Sequence, residues 1–165
     1  MCIRDSLEID DQMKGYEHLL KQKYVDPTHI GVHGWSFGGF MTVSMMTRYP
    51  GKFYAAVAGG PVTDWSMYEV MYTERYMDTP KQNPEGYKKS NTFNYIDNLA
   101  GPMLLIHGTS DPVVVWQQSL NYIQSCVSKG KQIDYFVYPG HEHNVLGKDR
   151  VHLIRKIINY FEANL

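Results

Sequence analysis

The segment Gly34-Trp35-Ser36-Phe37-Gly38-Gly39 restricts the possible folds more than any other stretch of this chain. Before it comes Ile30-Gly31-Val32, an apolar stretch between His29 and His33 that reads as a buried strand. After it, Phe37 to Tyr49 reads as a helix closed by Pro50-Gly51. A strand that passes into a helix this quickly needs a turn with little room for side chains, and glycines bracket the turn here. A serine at its centre takes a strained backbone conformation that exposes its hydroxyl, as in a G-x-S-x-G nucleophile elbow. The following helix aims the positive end of its dipole at a developing oxyanion, with the Phe37 backbone N–H as candidate donor. Ser36 is therefore the candidate nucleophile. The bland alternative is a glycine-rich turn with an incidental serine.

The rest of the chain alternates. Ile9, Met13, Tyr16 and Leu20 recur at helical spacing and predict a helix from residue 8 to about 24. Phe53–Ala58, Met103–Ile106 and Ile133–Tyr138 read as further strands. Trp116, Leu120, Ile123 and Val127 mark a helix over about 114–129, and Val151, Ile154, Ile158 and Phe161 a terminal one. Between Gly59-Gly60-Pro61 and the third strand lies an aromatic-rich insertion. It has helical spacing at Tyr68, Met71, Tyr72 and Tyr76, and loops are expected at Pro80 and Pro84. Such alternation implies an α/β fold, a parallel sheet with helices on both faces.

A serine nucleophile needs a base, and the base needs an orienting carboxylate. On a parallel sheet these belong on loops after strands, in the order Ser, acid, His. Asp111 follows the third strand in Gly108-Thr109-Ser110-Asp111-Pro112, and the fourth strand leads to His141-Glu142-His143. Asp64 also follows a strand, but one strand early, and reads as a turn cap. Either His141 or His143 has the right position for the base. The pair also raises a metal site, for which no third ligand is evident. His33 and His107 end strands expected to be buried and read as structural histidines.

Composition narrows the classes further. A net charge of −1 offers no case for nucleic acid or an anionic membrane. Cys2 and Cys126 have no metal spacing and form no disulfide framework, and Cys126 reads as a free buried thiol. No apolar run approaches the ~20 residues of a membrane span, and no signal peptide is visible.

Gly34-Trp35-Ser36-Phe37-Gly38-Gly39, the segment Val62–Met77 with Tyr72-Thr73-Glu74-Arg75-Tyr76-Met77, and the loops at Asp111 and His143 resemble the prolyl oligopeptidase superfamily. Within it they resemble the dipeptidyl peptidase IV branch. Gly59-Gly60-Pro61-Val62, Asp111–Trp116 and Pro139–Leu153 are most similar to the bacterial prolyl tripeptidyl peptidases. The resemblance runs from about Leu7 to the end, and Met1–Ser6 do not fit it. It implies a C-terminal portion of an α/β-hydrolase domain, and it chooses His143 over His141 as the base. It implies a proline pocket at Val62, Trp65, Tyr68 and Tyr72, where aromatic faces meet a pyrrolidine ring. Glu69 is implied as a partner for the substrate's free ammonium group. Val113 stands where dipeptidyl peptidase IV has an asparagine that contacts the substrate carbonyl, which agrees with the tripeptidyl reading.

The implied function is a serine exopeptidase that cuts after proline near a free N-terminus and releases tripeptides, with no metal or organic cofactor. The alternatives are a dipeptidyl peptidase, an acyl-ester hydrolase with the same triad, or an inactive dimerising fragment. The resemblance further implies peptide substrates, homodimers, a periplasmic or cell-surface location, and an upstream β-propeller. A tyrosine that completes the oxyanion hole and the main amine-binding glutamate are also implied upstream. On that reading the chain is a fragment, expected to leave a sheet edge open and to be poorly soluble or inactive alone.

Overall fold

The computed structural model describes residues 7–165. The expected mismatch at Met1–Ser6, and Cys2 with it, lies outside the described residues. Four strands lie side by side in sequence order, all parallel: β1 (Gly31–Trp35), β2 (Ala55–Gly59), β3 (Met103–Gly108) and β4 (Asp134–Tyr138). Their carboxyl ends therefore share one rim, and the loops after β1, β3 and β4 meet there.

The two inner strands carry the core. Every residue of β2 and β3 is buried. Their side chains alternate between two clusters, as a period of two requires. Ala56, Ala58, Met103 and Leu105 face α1 (Leu7–Leu19), α2 (Phe37–Arg48) and α5 (Gln117–Ser128). Val57, Leu104 and Ile106 face the opposite way, toward Leu153 and Ile157 of α6 (Asp149–Asn164). Helices thus cover both faces, with α2 at the centre: its residues Gly39 to Thr47 are all buried.

At β1 the expected open edge is present. Among the described residues it pairs with β2 alone. A groove of about 510 Å³ runs beside it, lined by Tyr16, Val32, Met45 and Phe53 among others. His33, expected to be a buried structural histidine, is exposed for this reason, although its Nδ1 lies 2.8 Å from the Val57 carbonyl.

The insertion folds as a 3₁₀ turn (Trp65–Met67), α3 (Val70–Met77), α4 (Pro84–Ser90) and a longer 3₁₀ segment (Thr92–Asn98). Pro84, expected in a loop, opens α4 instead. Proline fits a first helical turn, where its missing N–H costs nothing, and Asn83 caps that turn by accepting the Gly86 N–H at 3.1 Å.

Three helices also differ from expectation. The first ends at Leu19, about five residues early, so that Leu20 lies outside it and is exposed. In α5 the buried residues are Gln118, Ser119, Tyr122 and Cys126, while Val127 is exposed. The terminal helix buries Leu153 and Ile157 and leaves Val151, Ile154 and Ile158 exposed. Met71 of α3 is likewise exposed. Cys126 is a free buried thiol, as expected, and burial pushes its pKa up to about 11.

Gly59 ends β2 under the Trp35 indole, where a Cβ would stand 1.8 Å from Cε3 of that ring. The ring is held in turn and cannot swing aside without breaking its bond to the His143 carbonyl. Gly59→Ala is expected to lower stability by about 1–3 kcal/mol through overpacking, measured as a fall in the urea midpoint with unchanged slope.

Candidate active site

Ser36 sits at φ 61° and ψ −118°, in the left-handed half of the map that a non-glycine residue avoids. Such a conformation costs on the order of 1–3 kcal/mol. Its neighbours hold it there. The Ser36 N–H donates to the Gly59 carbonyl at 2.8 Å, and the Ser36 carbonyl accepts from Phe40 N at 3.0 Å. One bond ties the turn to β2, and the other commits it to α2. Phe37 is the first residue of α2, so its N–H lies at the positive end of that helix.

The glycines of the elbow divide. A Cβ on Gly34 would fall 2.3 Å from the Gly38 carbonyl oxygen, and one on Gly39 2.7 Å from the Gly59 oxygen. A Cβ on Gly38 would meet nothing within 4 Å. Tightness was expected at both glycines flanking Ser36, and it holds for Gly34 but not for Gly38. A side chain at Gly38 would point into open space, and the close approach falls one residue later, at Gly39.

Asp111 follows β3 with its side chain fully shielded from solvent. Its Oδ1 accepts the N–H groups of Val113 at 2.8 Å and Val114 at 2.9 Å. Its Oδ2 lies 2.7 Å from His143 Nδ1 and 3.2 Å from His107 Nε2. Burial by itself would push the carboxyl pKa up. The hydrogen bonds from His107, His143 and the two backbone N–H groups outweigh it and hold the pKa far below the usual carboxylate range. Asp111 is therefore ionised, with its charge aimed at His143.

His143 follows β4, and its backbone carbonyl accepts from Trp35 Nε1 at 2.8 Å. The elbow itself therefore holds the histidine loop. The imidazole lies beside Gly60, where a Cβ would stand 3.4 Å from His143 Cε1. Gly60 directly follows the residue whose carbonyl takes the Ser36 N–H. His141 goes elsewhere, with its Nε2 2.8 Å from Asp149 Oδ2 at the start of α6. The two histidines thus lie against separate carboxylates, His141 on Asp149 and His143 on Asp111. Asp64 caps the Trp65–Met67 turn through Ser66 N at 2.9 Å and also accepts from Asn91 Nδ2 at 2.9 Å, the turn-capping place expected of it.

An aromatic wall extends from the elbow. Phe37 lies 6.1 Å from Trp65, centroid to centroid, and Trp65 lies 5.5 Å from Tyr68 and 6.2 Å from Tyr72. The expected pocket residues are therefore brought together beside Ser36. Val62 and Trp65 are almost fully buried behind the wall, while Tyr68 and Tyr72 are half-buried at its front. Glu69 is exposed between them at the start of α3, and its carboxylate makes no hydrogen bond or ion pair among the described residues. Val113 presents an exposed apolar side chain beside Asp111.

Sequence reasoning missed Gln118 and Ser119 at the start of α5. The Gln118 Oε1 accepts from Thr63 N at 2.6 Å and Asp64 N at 3.0 Å, and Ser119 Oγ lies 2.7 Å from His107 Nδ1. The available signal was two polar residues beside a helix start, four and five residues beyond Val114.

Comparison with known proteins decides the family. The prolyl oligopeptidase family profile matches residues 5–165. The chain belongs to that family. It is 32% identical over 164 residues to mouse dipeptidyl peptidase 8, covering 96% of this chain and 18% of that protein. It is 39% identical over 141 residues to a probable dipeptidyl-aminopeptidase B of Aspergillus oryzae, covering 84% of this chain and 16% of that one. A dipeptidyl aminopeptidase IV candidate from Bacteroides ovatus superposes with a TM-score of 0.94 at 55% identity, covering 96% of this chain and 22% of its own. Porphyromonas gingivalis dipeptidyl peptidase 4 gives 0.91 at 34% identity, covering 96% and 23%. The fold is thus that of the α/β-hydrolase domain of these peptidases, and the chain spans about a fifth of the length of such relatives.

Gly38→Ala is expected to be tolerated and to stabilise α2 by about 0.5–1 kcal/mol, whereas Gly34→Ala destabilises, both read by urea denaturation. Asp111, with its pKa depressed on folding, stabilises the fold above the unfolded carboxylate range near ~4, and that contribution drains away as pH falls below it. The gap in stability between the wild type and Asp111→Asn is therefore expected to be full at neutral pH and to narrow on acidification, measured by denaturation from pH 7 down to pH 3.

Proposed function

We propose that this chain carries the catalytic centre of a serine peptidase, with Ser36 as nucleophile, His143 as base and then acid, and Asp111 as the group that orients and charges His143. The observation that carries this reading is the 2.7 Å contact from His143 Nδ1 to the buried Asp111 carboxyl, with the His143 loop pinned to the elbow by Trp35. With Nδ1 committed to Asp111, Nε2 is left to exchange protons. Ser36 Oγ attacks the peptide carbonyl while Nε2 takes its proton. The tetrahedral oxyanion forms beside the Phe37 N–H, and Nε2 returns the proton to the leaving amine. Water then repeats the sequence on the acyl-enzyme, releasing the acid and restoring Ser36. None of these steps calls for a metal or organic cofactor.

Substrate choice follows from the wall. Tyr68 and Tyr72, backed by Trp65 and Val62, offer ring faces to a proline before the cut bond, whose fixed φ lowers the entropy lost on binding. The unengaged Glu69 carboxylate suits a free ammonium group a short distance upstream. Val113 offers only an apolar side chain where a dipeptidyl enzyme would hold a carbonyl. Both features favour release of tripeptides, whereas the relatives are named for dipeptides.

The test uses the intact polypeptide that carries this sequence. A fluorophosphonate is expected to label Ser36, and Ser36→Ala and His143→Ala are expected to abolish labelling. Absence of label from the wild type would sink the triad assignment. Ala-Ala-Pro and Ala-Pro reporters, each with free and blocked amine, then read the product length. The free-amine tripeptide reporter is expected to turn over fastest. Glu69→Gln should raise its KM about tenfold, the size of one charge-assisted hydrogen bond, with kcat little changed. Faster turnover of Ala-Pro would assign dipeptide release instead.

A further inference from the structure

His107 is fully buried at the end of β3, and the mechanism above leaves it without a task. Its ring meets three polar groups. Nδ1 lies 2.7 Å from Ser119 Oγ, and Nε2 lies 2.8 Å from the Val114 carbonyl and 3.2 Å from Asp111 Oδ2. A carbonyl and a carboxylate only accept, so Nε2 carries the proton. Nδ1 is then the ring atom that accepts from the Ser119 hydroxyl.

The lone pairs of Asp111 divide accordingly. Oδ1 serves Val113 N and Val114 N, while Oδ2 serves both His143 Nδ1 and His107 Nε2. Two imidazoles from different elements therefore share one oxygen. They differ in exposure: the His107 side chain is fully buried, while that of His143 is 15% exposed. The interior ring is held fixed from both ends, and the outer ring is the one that must exchange protons.

We propose that His107 is a positioning residue that sets the direction and basicity of Asp111 toward His143, and that Ser119 fixes the His107 tautomer that does so. The assignment rests on the triad reading above. A donor that shares Oδ2 draws off part of its negative charge. Without it, that charge falls to His143 alone, which favours the imidazolium and makes His143 harder to deprotonate. His107 also tethers the Val114 carbonyl, so its loss frees the turn that presents Asp111. The groups facing the carboxyl are His107 from β3, His143 from the loop after β4 and the N–H groups of Val113 and Val114, with Ser119 of α5 behind His107.

The rate of fluorophosphonate labelling of Ser36 against pH tests this in the intact polypeptide, with thermal melting run alongside. His107→Leu is expected to label roughly tenfold or more slowly at neutral pH, with the midpoint of its pH profile raised by about half a unit or more. His107→Gln keeps an N–H near the Nε2 position and is expected to recover the wild-type midpoint and most of the rate. Ser119→Ala should move the midpoint the same way by less. A wild-type rate and midpoint in His107→Leu would overturn the proposal. So would a slower rate at an unmoved midpoint that Gln does not rescue, since that describes packing alone. If His107→Leu does not fold, Ser119→Ala decides, and an unmoved midpoint there overturns the proposal. Failure of the triad reading looks different: the folded wild type takes no label at any pH, and the His107 assignment then falls with it.

Discussion

The hydrogen bond from Ser36 N to the Gly59 carbonyl joins β1 to β2 at the residue where the chain leaves the sheet. The rest of the site depends on that bond. Ser36 can hold its positive φ only if both flanks are fixed, since the conformation alone is unfavourable by on the order of 1–3 kcal/mol. The β2 bond fixes one flank. The buried helix α2 fixes the other, and its packing supplies more than the strain requires: Phe40 and Val43 alone bring roughly 3–6 kcal/mol of apolar burial. Close contact makes the arrangement specific. Gly34 lies against Gly38, Gly39 against Gly59, and Gly59 under Trp35, so the backbone segments meet with no side chain between them.

Trp35 carries this rigidity outward. Its indole covers Gly59 and its N–H holds the His143 carbonyl, so the Ser36 turn positions the His143 loop through one side chain. A second set of contacts stitches the acid loop to the same place. Thr109 N donates to Tyr138 O at 3.1 Å, Ser110 N to His141 O at 3.0 Å, and Gly140 N to Thr109 Oγ1 at 2.8 Å. Gly108 permits it, since a Cβ there would fall 2.4 Å from the carbonyl oxygens of both His141 and Glu142. The Asp111 and His143 loops thus approach each other through backbone contacts that belong to the fold itself. A preorganised site needs this, because catalytic hydrogen bonds tolerate errors of only about half an ångström.

Much of this was legible in the sequence, and the reasons are local. A glycine-bracketed serine between an apolar strand and a helix has few readings, and parallel strands in alternation send later loops to the same rim. The placement of Ser36, Asp111 and the His141–His143 loop on one rim followed from that, while the choice of His143 over His141 rested on the family resemblance. The orientation of helices was harder to read. In α5 the apolar residues Leu120, Ile123 and Val127 were the obvious face, yet the buried residues are Gln118, Ser119, Tyr122 and Cys126. In α6 Leu153 and Ile157 pack on the sheet while Val151, Ile154 and Ile158 face outward. Periodicity reports that a helix has an apolar side, and it fails where a helix has apolar residues on two sides or polar ones with buried partners. His33 was misread for a related reason. Burial at β1 depends on what lies across the strand, which its own five residues do not contain.

The polar residues at the start of α5 explain why that helix is turned as it is. Gln118 accepts from Thr63 and Asp64, just before the aromatic wall, while its neighbour Ser119 meets the ring behind Asp111. Adjacent residues on a helix point about 100° apart, so one turn of α5 reaches two partners that are far apart in sequence. An apolar face would have packed against the insertion and the acid loop separately. Buried hydrogen bonds instead fix a single register, because a shift of either partner would strand a polar atom away from water at a cost of about 1–3 kcal/mol. The wall at Trp65 and the carboxylate at Asp111 are thereby held to one helix, and any displacement of α5 moves both. The aromatic wall and the Asp111 carboxylate therefore form one mechanical unit, tied together through Gln118 and Ser119.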